Sequence, residues 1–205
     1  MASLETIAIN DLKTENVLRY MGNRNAPGEA YIDKINECKK KFIPFLAGKV
    51  SYIVADIERP GVDTVKIEGV VFKSKALYGH LAGCDKAVLM AATVGPEADR
   101  IRMRAAVRSS MEELIFDALG TEAIECLCDT FCDIMSERLG LLTPRFSPGY
   151  GDLPLETQRD LIYVLDTNRR IGLTLTDSLL MTPTKSVSAV MGIKNKQVKG
   201  EIKNG

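Results

Sequence analysis

The run Arg145-Phe146-Ser147-Pro148-Gly149-Tyr150-Gly151-Asp152 gathers residue types that could hold a small ligand. Arg145 offers a planar fork of N–H donors that matches a carboxylate. Tyr150 supplies an aromatic face with a polar tip. Pro148 fixes one φ angle, and Gly149 can take a positive φ or let a ligand approach the backbone closely. A Pro-Gly dipeptide is first of all a turn signal, so the run taken alone also reads as a structural loop. Upstream, Glu125, Asp129, Asp133 and Glu137 recur at i+4 and form one acidic stripe on a helix. Like charges at that spacing repel slightly, and such stripes are commonly just solvated faces.

A second patterned run lies downstream, from Leu175-Thr176-Asp177-Ser178 through Met181 and Pro183 to Ser186-Val187-Ser188. Together the two runs spell R-x-x-P-G-Y and, after an interval, L-T-x-S-x-x-M-x-P-x-x-S-V-S. In this order and at this spacing they resemble the S-adenosylmethionine-binding activation domain of cobalamin-dependent methionine synthase. The clear resemblance covers roughly the last third of the chain.

The resemblance implies an α+β fold, with helices packed on a mainly antiparallel or mixed sheet. It implies that Arg145 holds the methionine carboxylate of S-adenosylmethionine, that Ser147 and Gly149 offer backbone contacts to the nucleoside, and that Tyr150 packs against the ligand. It also places a carboxylate of the preceding helix at the ligand, and the spacing to Arg145 makes Asp129 the counterpart. The sulfonium and ammonium of such a ligand would suit that carboxylate. The implied function is a reactivation module that supports reductive methylation of cob(II)alamin on a separate corrinoid-binding methionine synthase subunit, with one electron from a flavodoxin-type reductant. Cobalamin would then be met only through that partner. The alternatives are a reactivator of a different corrinoid methyltransferase, and a non-catalytic S-adenosylmethionine sensor or adaptor that keeps the fold.

Several absences narrow the reading. The lone histidine sits in Tyr78-Gly79-His80-Leu81, without the D-x-H-x-x-G pattern of a cobalt-ligating histidine. A lone histidine beside apolar neighbours reads as structural, since acid–base work needs partners. No G-x-G-x-x-G or Walker sequence occurs. At 205 residues the chain has no room for substrate barrels of about 250 residues each. The 27 basic residues equal the 27 acidic ones, so no global field draws nucleic acid or an anionic membrane. No apolar run is long enough to span a bilayer, and the N-terminus lacks a secretory pattern. The five cysteines, odd in number and scattered, point to a reducing cytoplasm. Cys128 and Cys132, at i and i+4, read as small apolar core residues rather than ligands, and no metal site is expected.

The elements that must position these residues follow from periodicity. Residues 1–193 read as one activation-type domain with a helical N-terminal part over 1–48, and 194–205 as a mobile basic tail that stops short of the family's further strand and helix. Asn10 is expected to cap a helix ended by Gly22, and Asn23 to Gly28 to form a loop. Glu29 to Phe45 has helical spacing, with Lys39-Lys40-Lys41 as a solvated end. Val50 to Ile57 is a strand apolar on both faces, Pro60-Gly61 a turn, and Thr64 to Phe72 one alternating strand. Lys75 to Leu81 is a short helix, Ala87 to Thr93 the central strand, and Gly95-Pro96 a helix start. Ser109 or Ser110 caps a long helix to about Leu139, which Gly120 could divide. Leu155 to Thr167 reads as a helix, and Leu173 to Leu175 and Leu179 to Met191 as strands around Pro183.

Overall fold

A strand that is apolar on both faces must be covered on both faces. In the computed structural model of the chain, which describes residues 1–22 and 28–194, the strand covered in this way is the central one through Ala87 to Thr93, which lies between two long neighbours. In chain order the elements are β1 (Ser3–Ile7), α1 (Thr14–Tyr20), α2 (Glu29–Phe42), β2 (Gly48–Gly61), β3 (Thr64–Ile67), β4 (Val70–Lys73), α3 (Lys75–His80), β5 (Cys84–Thr93), α4 (Glu97–Ala106), α5 (Ser110–Leu139), α6 (Gln158–Val164), α7 (Thr167–Ile171), β6 (Thr174–Leu175), β7 (Met181–Thr182) and β8 (Ser186–Lys194). The main sheet runs β4-β3-β2-β5-β8, and every strand pairing among the described residues is antiparallel. β2 is long enough to share one edge between β1 and β3 while β5 takes the other.

Alternation along β5 divides the core in two. Val88, Met90 and Ala92 face α5, α2 and α1, while Ala87, Leu89 and Ala91 face α6, α7 and α3. The expected α+β class therefore takes the form of helices on both faces of an antiparallel sheet. α5 is the axis of the first layer. Its thirty residues span about 45 Å, and they pack on α1, α2, α4 and four strands of the sheet. Gly120 does not divide it. There the Lys185 side chain crosses the helix, and a Cβ on Gly120 would lie 3.0 Å from its Cγ and Cε. Lys185 Nζ then reaches Asp117 and Thr121, each at 2.9 Å, which ties the start of β8 to the helix.

Several boundaries differ from those read in sequence. α1 begins at Thr14 rather than beside Asn10, where its start is anchored to another helix: Lys13 N and the Asn16 side-chain amide donate to the buried Glu122 of α5 at 3.2 and 3.0 Å. Residues 1–48 contain β1 as well as helices. Pro60-Gly61 ends β2 rather than turning, and the turn follows at Val62-Asp63. The single strand over Thr64 to Phe72 is a hairpin, turned at Glu68 and Gly69, both at positive φ. The helix over Leu155 to Thr167 breaks at Asp166, which sits at φ 47°. The strands expected on either side of Pro183 are present but begin later than Leu179: β7 is Met181–Thr182, a cis peptide precedes Pro183, and β8 starts at Ser186. Gly120 aside, these misses share one cause: a tertiary partner or a two-residue turn overrides the local pattern. The expected loop at 23–27 and the tail beyond 194 lie outside the described residues.

Candidate functional site

Residues 141–146 run antiparallel to β8. Lys194 N donates to Leu141 O at 2.9 Å, Thr143 N to Gly192 O at 2.8 Å, and Phe146 and Val190 exchange N–H···O bonds at 2.9 and 2.8 Å. Neighbouring side chains on such a segment point to opposite faces. Phe146 packs into the layer with Tyr78 and Val190, so Arg145 is sent to the α5 side. His80 fixes the segment from outside. Its Nε2 lies 2.8 Å from Pro144 O and, because a carbonyl only accepts, Nε2 carries the proton. Its ring stands 5.1 Å from that of Phe146. The structural reading of the lone histidine thus has a definite object, the backbone beside Arg145.

The Pro-Gly turn follows at once. Tyr150 N donates to Ser147 O at 3.1 Å, with Pro148 at the first corner and Gly149 at φ 87° at the second, a type II arrangement that a side chain at that corner would strain. Gly149 N is taken by Leu153 O at 2.9 Å. Asp152 closes the loop against α3. Its carboxylate accepts from the Ser74 hydroxyl at 2.5 Å, Lys75 N at 2.9 Å and Ala76 N at 3.1 Å. The Ser74 bond and then the two backbone N–H bonds hold the Asp152 carboxyl below the usual range for the group.

A cleft of about 660 Å³ opens between this loop and α5, within the usual size range of ligand sites. Arg145, Ser147 and Tyr150 line it from the loop, Glu125 and Asp129 from α5, and Val187 from β8. Four of the five residues singled out in sequence meet here. Gly149 does not line the cleft, and its N–H is used within the turn. The residue missed is Glu125. Its signal lay in the acidic stripe, one turn before Asp129, and only the path of Arg145 over the helix brings it in.

Arg145 is the electrostatic centre. Its Nη2 donates to Glu125 at 2.7 Å and to Asp129 at 3.1 Å. Both contacts fall on the same nitrogen, which leaves Nε and Nη1 clear of carboxylate. Burial opposes the charge on Arg145, but the Glu125 bond and the neighbouring acidic groups outweigh it and raise its pKa above the ordinary arginine value. Burial pushes the Cys128 thiol up to about 12 and raises that of Cys132, so both stay protonated near neutral pH. Among the described residues no three His, Cys, Asp or Glu side chains converge as metal ligands, and no helix is long and apolar enough to cross a membrane.

The geometry can be set beside known proteins. Residues 132–199 match the family model described as the activation domain of vitamin B12-dependent methionine synthase. Both patterned runs lie inside that stretch. No curated protein matches the chain in sequence. Among solved structures, the MetH reactivation domain bound to AdoHcy superposes with a TM-score of 0.71 at 15% identity, over 96% of this chain and 79% of that one. The chain therefore has the reactivation-domain fold along nearly its whole length, and its C-terminal third carries the activation-domain sequence pattern.

Proposed function

We propose, from that fold and that sequence pattern, that the cleft under Arg145 binds S-adenosylmethionine, and that the unit over residues 1–193 presents its methyl group to a corrinoid on a separate methionine synthase subunit. The observation that carries the reading is Arg145 paired through one nitrogen to Glu125 and Asp129 over a cleft of ligand size.

The residues present fit such a ligand in chemistry. Its methionine end carries a carboxylate, an ammonium and a sulfonium. Nε and Nη1 of Arg145 are the donors left for the carboxylate, because both ion pairs fall on Nη2. Glu125 and Asp129 supply negative charge for the two cationic groups. Binding then extends an existing charge network and leaves no charge uncompensated, which limits the desolvation cost. Tyr150, 69% exposed at the mouth of the cleft, has room to close on an apolar or aromatic part of the ligand. Gly149 retains only its carbonyl for a nucleoside contact. Ser147 can offer its hydroxyl, which has no partner among the described residues.

The reaction needs no base from this chain. The methyl group leaves the sulfonium, which becomes the thioether of S-adenosylhomocysteine, and one electron from a flavodoxin-type reductant balances its transfer to cob(II)alamin. The corrinoid supplies the methyl-accepting metal when the partner docks. What this chain contributes is position and charge. Calorimetric titration tests the first half: S-adenosylmethionine should bind at one saturable site, and no binding at millimolar ligand would remove the reading. Reductive methylation of a supplied corrinoid protein tests the second half. Binding without methylation would point to a sensor or adaptor.

A further inference from the structure

A second cleft, of about 230 Å³, lies on the other side of α5, between the end of α2, α4 and the first turns of α5. Its floor is apolar: Ile101 and Ala105 from α4 and Phe116 from α5. Phe45, 55% exposed, stands at its side. Arg104 and Arg108 complete the wall.

These two arginines lack what most others in this chain have. Arg59, Arg100, Arg102, Arg138, Arg145, Arg159 and Arg169 all hold carboxylates or carbonyls. The side chains of Arg104 and Arg108 have neither a hydrogen bond nor an ion pair among the described residues. The carboxylates that share the cleft are already engaged, Glu97 with Arg100 and Glu112 with Lys34 at 2.5 Å, and Lys41 is held by Glu37 at 2.5 Å. The dipole of α4 accounts for Arg104, which sits in its last turn. It does not account for Arg108, which stands just before the N-terminal, positive end of α5 and one turn from another cation.

We propose that this cleft is a binding site for a small anion with an apolar ring, an aryl phosphate or aryl carboxylate. The anionic group would be forked by Arg104 and Arg108, and the ring would lie on Ile101 and Ala105 against Phe45. The volume is below that of drug-sized sites and suits a single ring. The site is separate from the Arg145 cleft and does not depend on what binds there.

Phenyl phosphate, titrated into the full chain and followed by NMR, tests this. Saturable binding at about 1 mM or tighter is expected, with shifts at Phe45, Ile101 and Ala105, and at least several-fold tighter than inorganic phosphate. The double variant Arg104→Gln/Arg108→Gln, at exposed positions, should keep its thermal midpoint and lose affinity about tenfold. Equal affinity for inorganic phosphate would reduce the site to an adventitious ion contact and overturn the proposal. So would unchanged affinity in the double variant, shifts confined to other residues, or no saturation.

Discussion

Arg145 engages the acidic stripe through one nitrogen, and this divides the work of its guanidinium. Arg145→Ala should weaken S-adenosylmethionine by about 2 kcal/mol, roughly thirtyfold, as when one side of a charge-assisted pair is lost. Arg145→Lys keeps the charge and loses the fork, so calorimetry should place it between wild type and alanine. Wild-type affinity in a folded Arg145→Ala would take the residue out of the site. Glu125 separates the ligand from its product. Only S-adenosylmethionine carries the sulfonium charge, so Glu125→Gln should narrow its preference over S-adenosylhomocysteine. The change should be several-fold at most, because Glu125 is 38% exposed and solvent screens it. Asp152 acts on the loop rather than the ligand. Its pKa is depressed in the folded chain. The stability it adds is therefore present above the unfolded value, about 3.9, and is lost as pH falls through the lower folded value. Melts of Asp152→Asn against wild type should differ at neutral pH, begin to approach near pH 4 and converge below the folded value. A gap that persists at low pH would assign the effect to packing.

At the scale of elements, what was legible in sequence depended on whether the partner of each signal was local. Ser109 caps α5 as its spacing to Glu112 implies, because both groups lie in one turn: Glu112 N donates to Ser109 Oγ at 3.3 Å. β5 was legible from its unbroken apolar run. The start of α1 was not, since its anchor is Glu122, more than a hundred residues away. Glu122→Ala should therefore cost about 2–3 kcal/mol, a buried hydrogen-bonding carboxylate lost and two donors orphaned, measured by urea unfolding. A loss below about 0.5 kcal/mol would mean that water replaces it. Gly120 shows two opposed effects at one position. Alanine gains about 1 kcal/mol of helix propensity but must displace the Lys185 stem, so Gly120→Ala should fall within about 1 kcal/mol of wild type. Gly120→Val adds bulk without that gain and should lose about 1–3 kcal/mol.

For the whole molecule, the two ends of the site come from elements brought together only by the fold. α5 brings the carboxylates, and the 141–146 segment reaches the cleft because it is hydrogen-bonded to β8, which is itself anchored to α5 by Lys185. The Arg145 run could be read from its motif, whereas Glu125 could not be chosen from a stripe of four equivalent acids until the loop was laid across the helix. A ligand that bridges the loop and α5 must then stabilise the fold as a unit, because both supports unfold together. By linkage, S-adenosylmethionine at a hundred times its dissociation constant should add about 2.7 kcal/mol. In a chain of this size that is a rise in thermal midpoint of about 5–10 °C. Scanning calorimetry with and without ligand reads it directly, and Arg145→Ala should shrink the shift at the same ligand concentration. A shift that survives undiminished in Arg145→Ala would mean that the ligand sits outside the junction of loop and helix, and would move the binding site away from the Arg145 cleft.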